Sequence, residues 1–366
     1  MKLSISQNIL AKGISIVSKA VSTRTTMPIL SGLLIEARDN KIYLTATDLN
    51  LGIKTSLDCN IEKEGSIVVN SRLLSDFIRK LPSNSTINIK TDENNKMDIK
   101  CEKSDFVILC NSADEYPDNT FVQEGEPISI DSNKLKKLIK YTSFAAAQDN
   151  MKPVLTGCLM ELEDNKCIFA AIDGYRLAVK EEEIKYQGEN KAIIPSKSLL
   201  EVYRIIEDLD EEIEIVLSES HISFFVEDTV IISNLLEGEF IKYKDIIKEG
   251  YVSKIKINTG KFKNSIERVS LLAKEDKNNL IIFKINNDNL TIESTSEYGN
   301  AEEVIDINLE GEELKIGFNS KYILDLLKIV ESEEIYLEFQ GNLNPCIVRL
   351  VGKNHFMYLV LPVRIG

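Results

Sequence analysis

A short run recurs three times along the chain: a strand, then Ser, then an amphipathic helix. It reads Val68-Val69-Asn70-Ser71-Arg72-Leu73-Leu74, then Ile193-Ile194-Pro195-Ser196-Lys197-Ser198-Leu199-Leu200, then Gly317-Phe318-Asn319-Ser320-Lys321-Tyr322-Ile323-Leu324. Ser71, Ser196 and Ser320 are spaced by 125 and 124 residues. A second marker keeps nearly that period: Leu3-Ser4-Ile5, Ile128-Ser129-Ile130 and Ile255-Lys256-Ile257. Two independent markers on one spacing mean that a single domain plan is used three times. Tandem units of like shape build a quasi-symmetric body, and such bodies usually bind along a surface instead of holding one catalytic cleft.

The 366 residues accommodate three units of ordinary domain size, and a hydrophobic content of 43% suffices for well-formed cores. The predicted units are 1–125, 126–250 and 251–366, divided near Gly125-Glu126-Pro127 and Glu249-Gly250. Each reads as strand, helix, strands, helix, strands. Alternation in Lys41-Ile42-Tyr43-Leu44-Thr45-Ala46, Ile87-Asn88-Ile89-Lys90, Glu212-Ile213-Glu214-Ile215-Val216 and Glu334-Ile335-Tyr336-Leu337-Glu338 marks half-buried strands. Turn signals at Asp39-Asn40, Asp164-Asn165 and Asn286-Asn287-Asp288 separate them. The fold class is therefore α+β, with two helices packed on antiparallel sheet in every unit.

No apolar run approaches the ~20 residues of a membrane span. Met1-Lys2-Leu3-Ser4-Ile5 lacks the apolar stretch of a signal peptide, so a cytoplasmic location is expected. In that reducing compartment Cys59, Cys101, Cys110, Cys158, Cys167 and Cys346, with no Cys-x-x-Cys pair, read as small buried hydrophobes.

The net charge of −14 argues at first against a nucleic-acid partner, but its distribution says otherwise. Residues 7–24 carry Lys12, Lys19 and Arg24 without an acid; 132–144 carry Lys134, Lys136, Lys137 and Lys140. Residues 258–274 carry Lys261, Lys263, Arg268 and Lys274 against Glu267. These three segments hold +10, leaving −24 for the rest. In the first helix Leu10, Ile14, Val17 and Val21 form the buried stripe, while Lys12, Ser15, Lys19 and Ser22 share another face. The second helix buries Leu135, Leu138, Ile139 and Thr142; the third buries Phe262, Ile266 and Val269 and groups Lys261, Ser265 and Arg268. Basic helix faces read either as solvation or as loose, sequence-blind contact with phosphates. Three equivalent acid-poor helices in an acidic chain favour the second reading, because every other surface would repel DNA.

Signals for catalysis are sparse. There is no phosphate-binding glycine loop, no zinc-protease motif and no nucleophile elbow. His221 and His355 lie in strand-like segments and read as packed or surface imidazoles. Asp48 and Asp173 occupy equivalent repeat positions, where the third unit has Ser296. Acid–base work at these carboxylates is one reading; a turn or cap is the other. The apolar chain end, Tyr358-Leu359-Val360-Leu361-Pro362-Val363-Arg364-Ile365-Gly366, is expected to finish a sheet, leave it at Pro362 and lie along the surface as part of a peptide-docking groove.

Five segments carry a resemblance over essentially the whole length: Thr23-Arg24-Thr25-Thr26-Met27-Pro28-Ile29-Leu30, Ala171-Ile172-Asp173-Gly174-Tyr175-Arg176-Leu177-Ala178, Leu235-Leu236-Glu237-Gly238-Glu239-Phe240, Ile316-Gly317-Phe318-Asn319 and Leu361-Pro362-Val363-Arg364. In these the chain resembles the bacterial sliding clamps, the β subunits of DNA polymerase III. The resemblance implies a head-to-tail homodimer whose six like domains close a ring around double-stranded DNA. It implies no catalysis and no cofactor or metal. The partners would be the polymerase III catalytic subunit, an ATP-driven clamp loader and other clamp-motif proteins, with no membrane. Tethering raises effective concentration, so a weak polymerase contact suffices.

By that resemblance a peptide pocket would use Leu155, Ile172, Gly174, Tyr175, Arg176 and Leu177, then Ile241, Ile246, Asn319 and Tyr322, and finally Val360, Leu361, Pro362, Val363 and Arg364. It would take short motifs with two apolar anchors. Ile241 stands where the family commonly has Pro, Asp245 replaces a basic residue, and Gly366 extends the usual end. DNA-facing positions would be Lys12, Lys19, Arg24, Arg72, Lys136, Lys140, Gln148, Lys152, Lys197, Lys261 and Arg268. Phe106 and Ile108 of one chain would meet Leu271 and Leu272 of the next. A rival reading keeps the fold as an acidic scaffold that binds only peptides.

Overall fold

A computed structural model describes residues 1–22, 25–117, 125–149, 151–275 and 278–365. Among these residues six α-helices occur, two for each repeat: α1 Gln7–Val17, α2 Ser71–Lys80, α3 Ser132–Thr142, α4 Ser196–Ile205, α5 Thr259–Ala273 and α6 Ser320–Leu327. The Ser of each recurring run is the first helical residue of α2, α4 and α6. Asn70 caps α2 by accepting from the Leu73 amide, and Asn319 caps α6 by accepting from the Lys321 amide. The first helix is shorter than its stripe predicts. It ends at Val17 and tightens into a 3₁₀ turn over Ser18–Ala20, so Val21 is only half-buried and outside the helix.

The chain forms two compact units, residues 1–132 with 204–235, and residues 133–203 with 236–366. The second repeat is thus divided between them. In the first unit α1 packs on α2 and on the strands Lys41–Thr47 and Leu51–Asp58. Leu10, Ile14, Leu74 and Ile78 are at most 1% exposed, and each such side chain contributes roughly 1.5–3 kcal/mol on burial. Gln7 Nε2 donates to the Ile78 carbonyl at 2.8 Å, and the hydroxyls of Ser18 and Ser71 lie 2.9 Å apart. In the second unit α5 packs on α6 and on the strands Asn289–Ser296 and Gly299–Asp306. Phe262, Ile266 and Val269 are buried as their spacing predicts.

The sheets explain why repeats and compact units differ. The first unit holds a five-stranded and an eight-stranded antiparallel sheet, the second a nine-stranded and a four-stranded one. Each large sheet is a fusion of strands from successive repeats. In the first unit Thr229–Asn234 pairs with Leu51–Asp58, setting Ile231 opposite Ile53. In the second Lys353–Val360 pairs with Arg176–Glu183, setting Tyr358 opposite Ala178. Boundaries drawn from the sequence period divide each large sheet at its seam. No helix among the described residues is long and apolar enough to cross a membrane.

Candidate functional site

Repeat-equivalent residues first settle the carboxylate question. Asp48 Oδ1 accepts from the amides of Asn50 (2.9 Å) and Leu51 (2.8 Å). Asp173 Oδ1 accepts from Tyr175 (2.9 Å) and Arg176 (3.1 Å), and Ser296 Oγ accepts from Tyr298 (3.2 Å). All three hold turns, the two aspartates through two amides and Ser296 through one, which is the structural reading and not the acid–base one. The two aspartate turns take positive φ at their second residue, +92° at Gly174 and +77° at Leu49, whereas in the third unit the positive φ falls at Gly299.

In the second unit that turn joins two groups of side chains. The first is apolar: Leu155, Ile172 and Leu177 belong to one buried cluster with Tyr243 and Leu359, and Ile241 and Ile246 pack against it. The second is aromatic and charged. Tyr175, 60% exposed, stacks on Tyr322 with centroids 5.9 Å and planes 19° apart. Arg176 lies beneath, its guanidinium carbon 4.7 Å from the Tyr322 centroid. Asn319 and Tyr322 are half-buried at the start of α6.

The chain end completes this surface. The strand ladder stops at Val360, fully buried opposite Arg176. The Leu361 amide then donates to the Tyr175 carbonyl at 2.9 Å. Beyond Pro362 the segment does not simply run free. The Val363 amide donates to the Gly317 carbonyl at 2.8 Å, an isolated bridge onto another sheet. Gly317 permits the approach, since a Cβ there would lie 2.9 Å from the Val363 oxygen. Leu361 and Arg364 are exposed, and Gly366 lies outside the described residues.

Sequence reasoning missed what holds the 240s segment. Glu161, nearly buried on the strand Gly157–Glu163, accepts from Tyr243 Oη and from Lys191 Nζ, both at 2.7 Å. Lys244 Nζ bridges Glu161 and Glu163 at 3.4 and 3.1 Å. Asp245 is exposed, its amide donating to the Lys242 carbonyl.

The helix cations divide into open and held. Lys12 on α1, Arg72 on α2, Lys197 on α4 and Lys261 on α5 are exposed, as are Gln148 and Lys152. Lys19 and Lys136 are half-buried, and Arg24 lies outside the described residues. Lys140 pairs with Glu331; burial works against its charge, but the carboxylate outweighs that and raises its pKa. Arg268 forms a two-pronged pair with Glu303, Nε to Oε1 and Nη2 to Oε2, each at 2.7 Å. Ser265 lies beside Arg268 as its spacing predicts, accepting from Arg268 Nη2 at 3.3 Å and donating to Glu303 at 3.2 Å, but it is buried and not part of an open face.

Two of the strands at sheet edges are long and carry exposed apolar groups. Ser104–Leu109 closes one side of the five-stranded sheet and Gly299–Asp306 one side of the four-stranded sheet. Ile108 is 3% exposed within its own core, and Phe106 packs on Phe77 at 4.7 Å. The apolar groups open to solvent there are Val107 (61%) and Leu109 (75%). On the second unit Val304 is 57% and Leu271 is 65% exposed, with Leu272 half-buried.

Three family models match in order. The N-terminal, central and C-terminal domains of the DNA polymerase III beta subunit cover residues 1–120, 129–242 and 244–364. The chain is 36% identical over 357 residues to a beta sliding clamp of Staphylococcus epidermidis, covering 94% of each chain. Among solved structures it is similar to the DNA polymerase sliding clamp of Bacillus subtilis, with a TM-score of 0.95 at 33% identity and full coverage of both chains. A putative DNA polymerase III beta subunit from Eubacterium rectale superposes with a TM-score of 0.94 at 37% identity, again over both full lengths.

Proposed function

The chain belongs to the DNA polymerase III beta-subunit family, the sliding clamps, and on that premise we propose how its surfaces divide the work. It is a non-catalytic processivity factor that encircles duplex DNA as a dimer and serves polymerase III. The single observation that carries this is the tandem of three matched clamp domains along the chain. Domain limits at 125/126 and 250/251 and a cytoplasmic location belong to the proposal.

The partner site is the surface of Leu155, Ile172, Leu177, Ile241 and Ile246 together with Tyr175, Tyr322 and residues 360–364. A buried apolar cluster beside an exposed tyrosine pair suits a short peptide with two apolar anchors. Replicative polymerase, clamp loader and repair proteins would compete for it. Duplex phosphates meet Lys12, Arg72, Lys197, Lys261 and their neighbours through loose contacts that permit sliding.

The dimer follows from the seams. The last strand of the first repeat, Ser104–Leu109, is the counterpart of Thr229–Asn234 and Lys353–Val360. Gly299–Asp306 is the counterpart of Leu51–Asp58 and Arg176–Glu183. Two seams are made within one chain; at the third, both edges lack a strand partner among the described residues. A second copy supplies it, with Val107, Leu109 and Phe106 of one protomer facing Val304, Leu271 and Leu272 of the other.

The test is retention. Loaded by an ATP-driven loader onto nicked circular DNA, the protein should co-elute with the circle and be lost when one cut linearises it. Equal retention on linear DNA, or none on the circle, would overturn the reading.

A further inference from the structure

The guanidinium of Arg176 is committed to the chain itself. Nε donates to Asp173 Oδ2 at 2.9 Å, Nη1 to Asp325 Oδ2 at 2.8 Å, and Nη2 to the Phe144 carbonyl at 2.9 Å. Only 4% of the side chain is exposed. To reach a peptide carboxylate it would have to abandon partly buried acids, a costly exchange. Its geometry suits a bracket better than a ligand.

The three bonds reach three segments: the turn bearing Tyr175, the 3₁₀ turn Ser143–Ala145, and α6. On α6 Asp325 is one turn beyond Tyr322, whose ring covers the guanidinium and stacks on Tyr175. Lys328 Nζ lies 3.1 Å from the other Asp325 oxygen, so both carboxylate oxygens are engaged. Fully buried Tyr358 adds a further tie, donating to the Tyr322 carbonyl at 2.9 Å.

We propose that Asp325 is a positioning residue for partner peptides: through Arg176 it fixes Tyr322 against Tyr175 before a peptide arrives. This rests on the pocket reading above. Preorganisation of this kind has a kinetic signature. When the competent arrangement is only fractionally populated, affinity falls by that fraction, and the loss appears in association. A lost direct contact appears in dissociation instead.

The experiment uses the full-length dimer and a fluorescein-labelled hexapeptide carrying Leu and Phe as its apolar anchors, followed by stopped flow. Asp325→Asn keeps shape and an acceptor but removes the charge. Its association rate should fall about tenfold if the competent fraction drops to about one-tenth. Its dissociation rate should stay within about twofold of wild type. Asp325→Glu, with the charge kept, should recover most of the association rate. Unchanged association in a folded, dimeric Asp325→Asn protein overturns the proposal, and so does a loss confined to faster dissociation. A wild-type protein that fails to bind the peptide overturns the pocket reading and the proposal with it, and is told apart because no variant is needed to see it.

Discussion

Tyr243 Oη donates a 2.7 Å hydrogen bond to Glu161 Oε2, tying the 240s segment to the strand Gly157–Glu163. The phenol ring is 4% exposed and sits in the cluster against which Ile241 and Ile246 pack. Burial, then the adjacent carboxylate, push the phenol's pKa far up, so it remains a donor. Tyr243→Phe keeps the ring and strands the carboxylate with one donor fewer. A hydrogen bond to a charged group is worth about 1.5–3 kcal/mol, and a loss of that size is expected in denaturant titration. Peptide affinity should fall with it, since one wall of the site loses its anchor.

Acid should weaken the same tie. Burial would raise the Glu161 pKa, but hydrogen bonds from Lys191 and Tyr243 and the charge of Lys244 outweigh it, leaving the value lowered. A carboxyl depressed in the folded state stabilises above its ordinary value, near 4.5, and loses that contribution as pH falls through the lower folded value. Wild type should therefore hold a constant margin over Glu161→Gln from neutrality down to about pH 5. Below that the two unfolding midpoints should converge; a margin independent of pH would show that the charge contributes nothing.

Truncation after Val360 removes the Leu361–Tyr175 and Val363–Gly317 backbone bonds but leaves the strand ladder whole. The shortened protein should remain a dimer and stay on circular DNA, while binding to a two-anchor peptide disappears. Fluorescence anisotropy and gel filtration read the two properties separately.

Leu272→Asp places a charge in the proposed seam between two copies. Desolvating an unpaired carboxylate is expensive enough to dissociate a modest interface. Light scattering should report a monomer of normal secondary structure. A variant that remains dimeric at micromolar concentration would move the interface elsewhere.

Two charge variants should act in opposite senses on duplex binding. Glu303→Gln releases Arg268 from its two-pronged pair. One added phosphate contact steepens the dependence of log affinity on log salt by about 0.9. Lys12 is exposed and makes no ion pair among the described residues, so Lys12→Ala should flatten the slope by a similar amount. Titrations of labelled duplex across a range of KCl concentrations give both values.

The sequence period showed the repeat and the six helices because these signals are local. Asn70 and Asn319 stand just before the helices they cap, and Leu10, Ile14 and Val17 recur every turn. The turn at Asp48, Asp173 and Ser296 was legible for the same reason. Apart from the apolar chain end, the proposed peptide surface was reached through likeness to known proteins, since Leu155, Ile241 and Tyr322 share no spacing. Nor does any period place Arg176 beside Asp325, 149 positions away, or Arg268 beside Glu303, 35 away. The burial of Ser265 was not legible because its helical face also meets the strand Gly299–Asp306. The seams were invisible too, because alternation marks a strand without naming its neighbour.

Those seams also decide where the assembly gives way. Where Thr229–Asn234 lies on Leu51–Asp58, or Lys353–Val360 on Arg176–Glu183, both strands belong to one polypeptide and cannot part company for long. In the proposed dimer the joint between protomers would have the same kind of ladder without the covalent leash. Under strain that seam would unzip first, so a duplex would enter where the chain was never continuous.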